Sequence, residues 1–190
     1  MQRILAIVLI SIFHSYCYTS EEIITYLPPE RWAEYRELRL TMLLETPNAF
    51  GATYEEESLY PNQQWYNYLV EATQEKRTVL KFCLKNNAII GMGGAKIGQT
   101  PKTQHKATLF SIYLLPQYRG SGIAKRLVQA ILDTLKEKET IKKIDLVVSA
   151  DQQNARNLYK KLGFSTEGFF KNFWFFNGTS TDVYSMSMFL

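Results

Sequence analysis

The sequence predicts one α/β domain, residues 22–190, built on a mixed sheet with helices packed against it. Three observations carry this. Strand-like and helix-like segments follow in the order β, α, α, β, β, β, α, β, α, β, β. The early strands lack helical crossovers, so the three middle ones form an antiparallel meander and a doubly wound fold is excluded. A nearly all-apolar strand then runs through a glycine-bearing loop into an amphipathic helix, which marks that strand as central.

Residues 22–26 read as a short strand around Ile23 and Ile24. Pro28, Pro29 and Glu30 open a helix, and Trp32, Tyr35 and Leu38 recur at helical spacing up to Met42. Pro47 and Asn48 break the run; a second helix covers 62–71, with Trp65, Tyr68 and Leu69 on one side. Strands follow at 78–84 and 88–97 across the turn residues Lys85, Asn86 and Asn87, with Gly91, Gly93 and Gly94 weakening or kinking the second. After a polar loop, 107–115 is the central strand.

Residues 122–138 form an amphipathic helix, with Ile123, Leu127, Ala130, Ile131 and Leu135 on one face and Lys136 and Lys138 complementing the dipole in its last turn. A buried strand at 144–149 leads to a helix capped by Asp151, with Ala155, Leu158, Tyr159 and Leu162 as its apolar face and Gly163 as its left-handed stop. Strands at 169–176 and 181–190 close the chain across Asn177-Gly178, a hairpin signal.

At 46% hydrophobic and 14% aromatic, the chain can bury a full core. Its net charge of +4 is mild, and no dense basic stripe argues for nucleic-acid binding. Cys17 and Cys83 lie far apart, and with His14 and His105 they make neither a disulfide framework nor a metal cluster. Residues 1–20 stand apart, with Arg3, an apolar run from Ile4 to Phe13, and then small and polar residues. That is the layout of a secretory signal peptide, too short in its apolar run to span a membrane comfortably. An over-long gene start or an extra buried element are the other readings.

The chemistry is concentrated in one strand–loop–helix unit, Leu109 to Leu127. A glycine loop at a helix N-terminus turns consecutive backbone N–H groups towards one point, where the dipole is also positive, and so suits phosphate oxygens. Gly120 and Gly122 allow close backbone approach, and Arg119, Lys125 and Arg126 add positive charge. The Walker ending is absent, and Lys125 stands where the dinucleotide fingerprint needs its third glycine.

Arg119-Gly120-Ser121-Gly122-Ile123-Ala124 resembles the signature of the GNAT acetyltransferase superfamily: Gln or Arg, two residues, glycine, one residue, then glycine or alanine. The match falls on Arg119, Gly122 and Ala124, and ARNLYKKLGF, residues 155–164, is similar to the family's second hallmark. WAEYRELRL and ETPNAFG resemble the N-terminal helices of many bacterial members, so the likeness covers residues 22–190.

The resemblance implies the GNAT fold, a central mostly antiparallel sheet flanked by helices, and an enzyme that moves an acetyl group from acetyl-CoA to an amine by direct attack. It implies that backbone groups of Ile112, Tyr113 and Leu114 hold the pantetheine arm, in a strand that splays from its neighbour. Arg119, Gly120, Ser121, Gly122, Ile123, Ala124 and Lys125 would hold the pyrophosphate. Tyr159 matches the tyrosine that protonates the departing thiolate. Gln152 stands where members often have a pantetheine-binding asparagine. Ser111 and Tyr113 occupy the strand where a glutamate base is often found, and the run Glu55-Glu56-Glu57 reads as a solvated surface.

The expected acceptor is an amine-bearing small molecule or peptide; no metal, nucleic acid or stable membrane insertion is expected. A cytosolic co-substrate favours a cytoplasmic enzyme. A homodimer through the aromatic C-terminal hairpin is a further expectation. The alternatives are a CoA-binding sensor with little turnover, and a secreted protein that has reused the fold without CoA.

Overall fold

The computed structural model describes residues 22–190 except Glu75; the signal-like segment 1–20 lies outside the described residues. Seven strands form one sheet: β1 (Ile23–Thr25), β2 (Thr78–Lys85), β3 (Ala88–Ile97), β4 (Lys106–Leu114), β5 (Lys143–Ser149), β6 (Ser165–Phe176) and β7 (Thr179–Phe189). Their spatial order is β1-β2-β3-β4-β5-β7-β6. Only β4 and β5 run parallel; the other neighbours are antiparallel, and β2–β3–β4 is the expected meander.

Five α-helices accompany them: α1 (Trp32–Glu45), α2 (Tyr54–Glu57), α3 (Asn62–Gln74), α4 (Ile123–Lys136) and α5 (Gln153–Lys161). The four-residue α2 has no counterpart in the sequence reading. Its N-terminus is held by Thr53, whose side chain accepts from the Glu56 N–H. Helix α1 stops where Pro47 disfavours the helical conformation of the residue before it, and Thr46 sits at φ −137°. Both tight hairpins use consecutive left-handed residues, Asn86-Asn87 and Asn177-Gly178, as a type I′ turn requires.

Two ends differ from expectation. Helix α4 finishes at Lys136, so Lys138 lies beyond its last turn. Asp151 does not cap α5: its carboxylate takes the Ser149 hydroxyl at 2.7 Å, and Gln152 occupies the cap position without a side-chain bond. A serine two residues upstream is simply nearer than the helix N–H groups.

The sheet carries a core on each face. Helices α1 and α3 cover one, where Trp65 meets Tyr35 edge to face with centroids 5.4 Å apart and Phe82 and Met92 are fully buried. Helix α4 packs Leu127, Ile131 and Leu135 on the other, joined by Tyr159 and the half-buried Leu158 and Leu162 of α5. Edge strand β6 lies outside both: Phe170, Phe173 and Phe175 are 48%, 49% and 74% exposed.

Two carboxylates, the half-buried Glu22 and the exposed Glu167, tie distant elements together. Glu22 meets Lys85 at 3.2 Å and Arg126 at 2.7 Å; Glu167 accepts from the Ser187 hydroxyl and from Lys143. These donors hold both carboxyls below their ordinary value of 4.5. A lowered folded value means stability present above 4.5 and lost as pH falls through the lowered values. The melting temperature is therefore expected to hold at neutral pH and to fall in acid, with the fall shallower in Glu22→Gln. A melting temperature that rose on acidification would contradict this.

Candidate active site

The parallel pair β4–β5 is in register only at Lys106–Thr108 against Lys143–Asp145. Beyond it the strands part. On their outer sides β4 stays paired to β3 up to Leu114 and β5 stays paired to β7 up to Ser149. Each therefore turns a backbone edge without a strand partner, Leu109–Leu114 and Leu146–Ser149, towards the gap between them, with the Leu114 carbonyl taken by Arg119. Unpaired N–H and C=O groups inside a sheet call for a partner, and an extended amide-bearing chain supplies one. The sequence-expected residues Ile112, Tyr113 and Leu114 lie on this edge. The Tyr113 ring turns to the α1 side, where its hydroxyl donates to Glu45, and burial together with that carboxylate pushes the hydroxyl up to about 12.

At the mouth of the gap stands the glycine loop. Gly122 caps α4 at φ 83° and Gly120 sits at 76°, both left-handed. No acceptor within the described chain meets the backbone N–H groups of Gly120, Ser121, Gly122, Ile123, Ala124 or Lys125; the first helical bond is Arg126 N–H to Gly122 C=O at 3.2 Å. A run of free N–H groups at the positive end of a helix is an anion cradle. The basic side chains are divided. Lys125 is exposed beside the cradle. Arg119 turns back: its Nε donates to the Leu114 carbonyl at 2.9 Å, and its guanidinium lies over the Tyr113 ring at 5.3 Å. Arg126 is held by Glu22.

Tyr159 is 7% exposed and packs edge to face on Phe164 at 5.8 Å. It shares one apolar cluster with Leu114 at the end of β4, Ile123 at the start of α4 and Val148 near the end of β5. Burial pushes its hydroxyl well above the usual tyrosine range, so it keeps its proton at neutral pH. Gln152 follows β5 at the same open end, and no hydrogen-bond partner is found for its amide within the described chain.

On the α1 side, a cavity of about 130 Å³ is lined by Tyr35 and Arg39 of α1, Glu57 of α2, Tyr68 of α3, and Phe110 and Ser111 of β4. Pro47–Ala49 packs against β5, and the Trp174 indole of β6 lies over Gly51. The acidic run is therefore not uniformly solvated. Glu55 and Glu56 are exposed, but Glu57 is 8% exposed and accepts from Arg39 Nε at 2.7 Å and Nη2 at 2.5 Å. Arg39 Nη1 donates to Ser111 Oγ at 2.8 Å. The sequence reading missed Arg39, and it placed Ser111 only as a residue standing where a glutamate base is often found. Their signal was an arginine on the stripe Tyr35–Arg39–Met42, and a serine interrupting an apolar strand.

Among the described residues no group of three or more His, Cys, Asp or Glu side chains could hold a metal ion, and no helix is long and apolar enough to cross a membrane.

A parted parallel pair with acceptor-free N–H groups at its mouth gives the site two features, an open strand edge and a cluster of anion donors. A family model described as the acetyltransferase (GNAT) family matches residues 32–164. The chain belongs to that family. It is 34% identical over 125 residues to the [ribosomal protein bS18]-alanine N-acetyltransferase of Haemophilus influenzae, covering 66% of this chain and 81% of that protein. It is 32% identical over 85 residues to the spermidine N(1)-acetyltransferase of Escherichia coli; the match spans 45% of this chain and about half, 46%, of that relative. An acetyltransferase of Salmonella typhimurium, solved with its cofactor acetyl-CoA, superposes with a TM-score of 0.78 at 14% identity, covering 90% of this chain and 95% of that one.

Proposed function

We propose that the protein is an acetyl-CoA-dependent N-acetyltransferase acting on the amine of a small molecule or peptide. The observation that carries this is the run of acceptor-free N–H groups from Gly120 to Lys125, standing at the mouth of the β4–β5 gap. The residues fit the co-substrate in kind. The loop offers donors for a pyrophosphate, Lys125 offers charge, and the free edges of Ile112–Leu114 and Leu146–Ser149 offer partners for the amides of a pantetheine arm. Bound there, acetyl-CoA supplies the activated acetyl group.

The chain's own residues do the rest. Arg119 braces the loop against Leu114 and Tyr113, which keeps Gly120 and Gly122 in their left-handed shape. Gln152 stands where its amide reaches towards the arm. Tyr159 holds a proton available for a thiolate leaving group. The cavity bordered by Ser111 and Phe110 is where the acceptor amine approaches β4 from the α1 side. Spermidine, ribosomal-protein and amino-acid acetyltransferases among the relatives support an amine acceptor. A cytosolic supply of acetyl-CoA supports a cytoplasmic location.

Calorimetry and thermal melting with acetyl-CoA, followed by thiol release over spermidine, free amino acids and alanine-initiated peptides, test the reading. At a concentration 100 times the dissociation constant, acetyl-CoA is expected to stabilise the fold by about 2.7 kcal/mol, roughly 5–10 °C. No heat and no shift at saturating acetyl-CoA would refute it. One observation favours a CoA-binding module without turnover: both oxygens of the buried Glu57 are taken by Arg39, and the other carboxylate lining the cavity, Glu71, is exposed to solvent. Binding without thiol release on any amine would select that reading.

A further inference from the structure

Strand β4 does not run regularly past the gap. Met92 of β3 faces Tyr113 while Gly94 faces Phe110, so Gly93 alone stands opposite both Ser111 and Ile112. That is a bulge, and Ser111 carries its strain at φ 55°, a left-handed conformation that a serine adopts only when its surroundings demand it. The extra residue has a directional result. Phe110 and Tyr113 are three apart and would point to opposite faces of a regular strand, yet both join the α1–α3 core, while Ile112 and Leu114 pack on the α4 side. Gly93 permits this close approach, since a Cβ there would lie 2.6 Å from Ile112 Cδ1.

What demands the conformation is Arg39. Its guanidinium is buried and spends all three nitrogens: Nε and Nη2 on the Glu57 carboxylate and Nη1 on Ser111 Oγ, with Met42 Sδ a further contact at 3.7 Å. Arg39 and Glu57 are each 8% exposed, and a bidentate arginine–carboxylate fork has a single favourable geometry. The fork is anchored in α1 and α2, helical elements outside the sheet. Its third nitrogen therefore fixes the bulge of β4 from outside the sheet. A buried polar network satisfied at every member imposes one arrangement on the chain around it.

We infer that Arg39, Glu57 and Ser111 are positioning residues: they set the β4 bulge, and with it the strand edge that aligns the acetyl thioester with the acceptor cavity. This rests on the acetyltransferase reading above. The network lies halfway along β4, away from the anion cradle at the mouth. Its loss should therefore disturb alignment of the reacting groups without weakening attachment of the co-substrate.

Ser111→Gly is the decisive variant, because glycine accepts the left-handed φ and removes only the hydroxyl that Arg39 grips. Its melting temperature is expected to fall by no more than a few degrees, because Arg39 keeps both Glu57 oxygens, and its calorimetric affinity and KM for acetyl-CoA to change by no more than about threefold, because the cradle is untouched. Its kcat, measured with the best amine of the wild-type panel, should fall at least tenfold. Glu57→Gln, which keeps one acceptor for the fork, should lose less than Ser111→Gly in kcat and nothing in KM for acetyl-CoA. An unchanged kcat in Ser111→Gly overturns the inference, as does a fall in affinity equal to the fall in kcat. Failure of the wild type to bind acetyl-CoA is a separate result: it removes the parent reading and this inference with it.

Discussion

Replacing Tyr159 by phenylalanine is expected to lower kcat by about 10²- to 10³-fold with little change in KM for acetyl-CoA. The reasoning starts from burial. The ring is 7% exposed, wedged among Leu114, Ile123, Val148 and Phe164, and its hydroxyl finds no partner within the described chain. The hydroxyl oxygen is not among the buried polar atoms that lack a partner, so the ring is buried while its oxygen stays reachable. A reachable hydroxyl on a buried ring, in the cluster that joins the ends of β4 and β5 to the start of α4, is what the proposed proton donor requires. Since the pKa is raised by burial alone, the group offers a proton and does not take one at neutral pH. The variant should melt at or slightly above the wild-type temperature. Full turnover in Tyr159→Phe would remove the assigned role and leave a packing residue.

The second large effect concerns Gly122. Valine at this position is expected to weaken acetyl-CoA binding by about 10²-fold, since a β-branched residue in the left-handed region costs more than the ~1–2 kcal/mol of an ordinary one. Crowding is not the cause: a Cβ built on Gly122, or on Gly120, meets nothing within 4 Å. The loop must instead change shape, and the N–H groups from Gly120 to Lys125 then cease to converge. Gly122→Asn provides the control, because asparagine tolerates positive φ and should retain most of the affinity. Calorimetry of the two variants separates backbone conformation from side-chain bulk. Equal dissociation constants for Gly122→Val and wild type would mean that the loop is not the cradle.

The strand–loop–helix unit could be read from the sequence because each part is local. An apolar run, two glycines and a 3.6-residue period each reflect interactions within a few residues. The same holds for the Asn177-Gly178 hairpin, where the turn conformation is a property of the two residues themselves. The parting of β4 from β5 was expected only through family likeness. Pairing between strands separated by a helix depends on tertiary packing that no short window encodes. The Arg39–Glu57–Ser111 fork joins positions 18 and 72 residues from the arginine, a separation that no local pattern in the sequence links. Glu57 in particular was misread because Glu55 and Glu56, its neighbours in sequence, do face solvent. Asp151 failed as a cap for a related reason: Ser149 competes for it at shorter range.

The edge strand β6 has a consequence for how the molecule behaves in concentrated solution. Among the described residues it pairs only with β7, runs for 12 residues and shows five exposed phenylalanines, so one side of its backbone is an open template for another chain. Two devices blunt it. The register breaks between Phe170 and Trp174, and within that break Lys171 places a charge and Asn172 bends the strand with φ 51°. Such gatekeepers oppose edge-to-edge growth without adding to the fold's stability. The colloidal shelf life of the protein is thus governed by a few residues at its rim, and substitutions there will change solubility while leaving the melting temperature and the chemistry of the distant β4–β5 gap untouched.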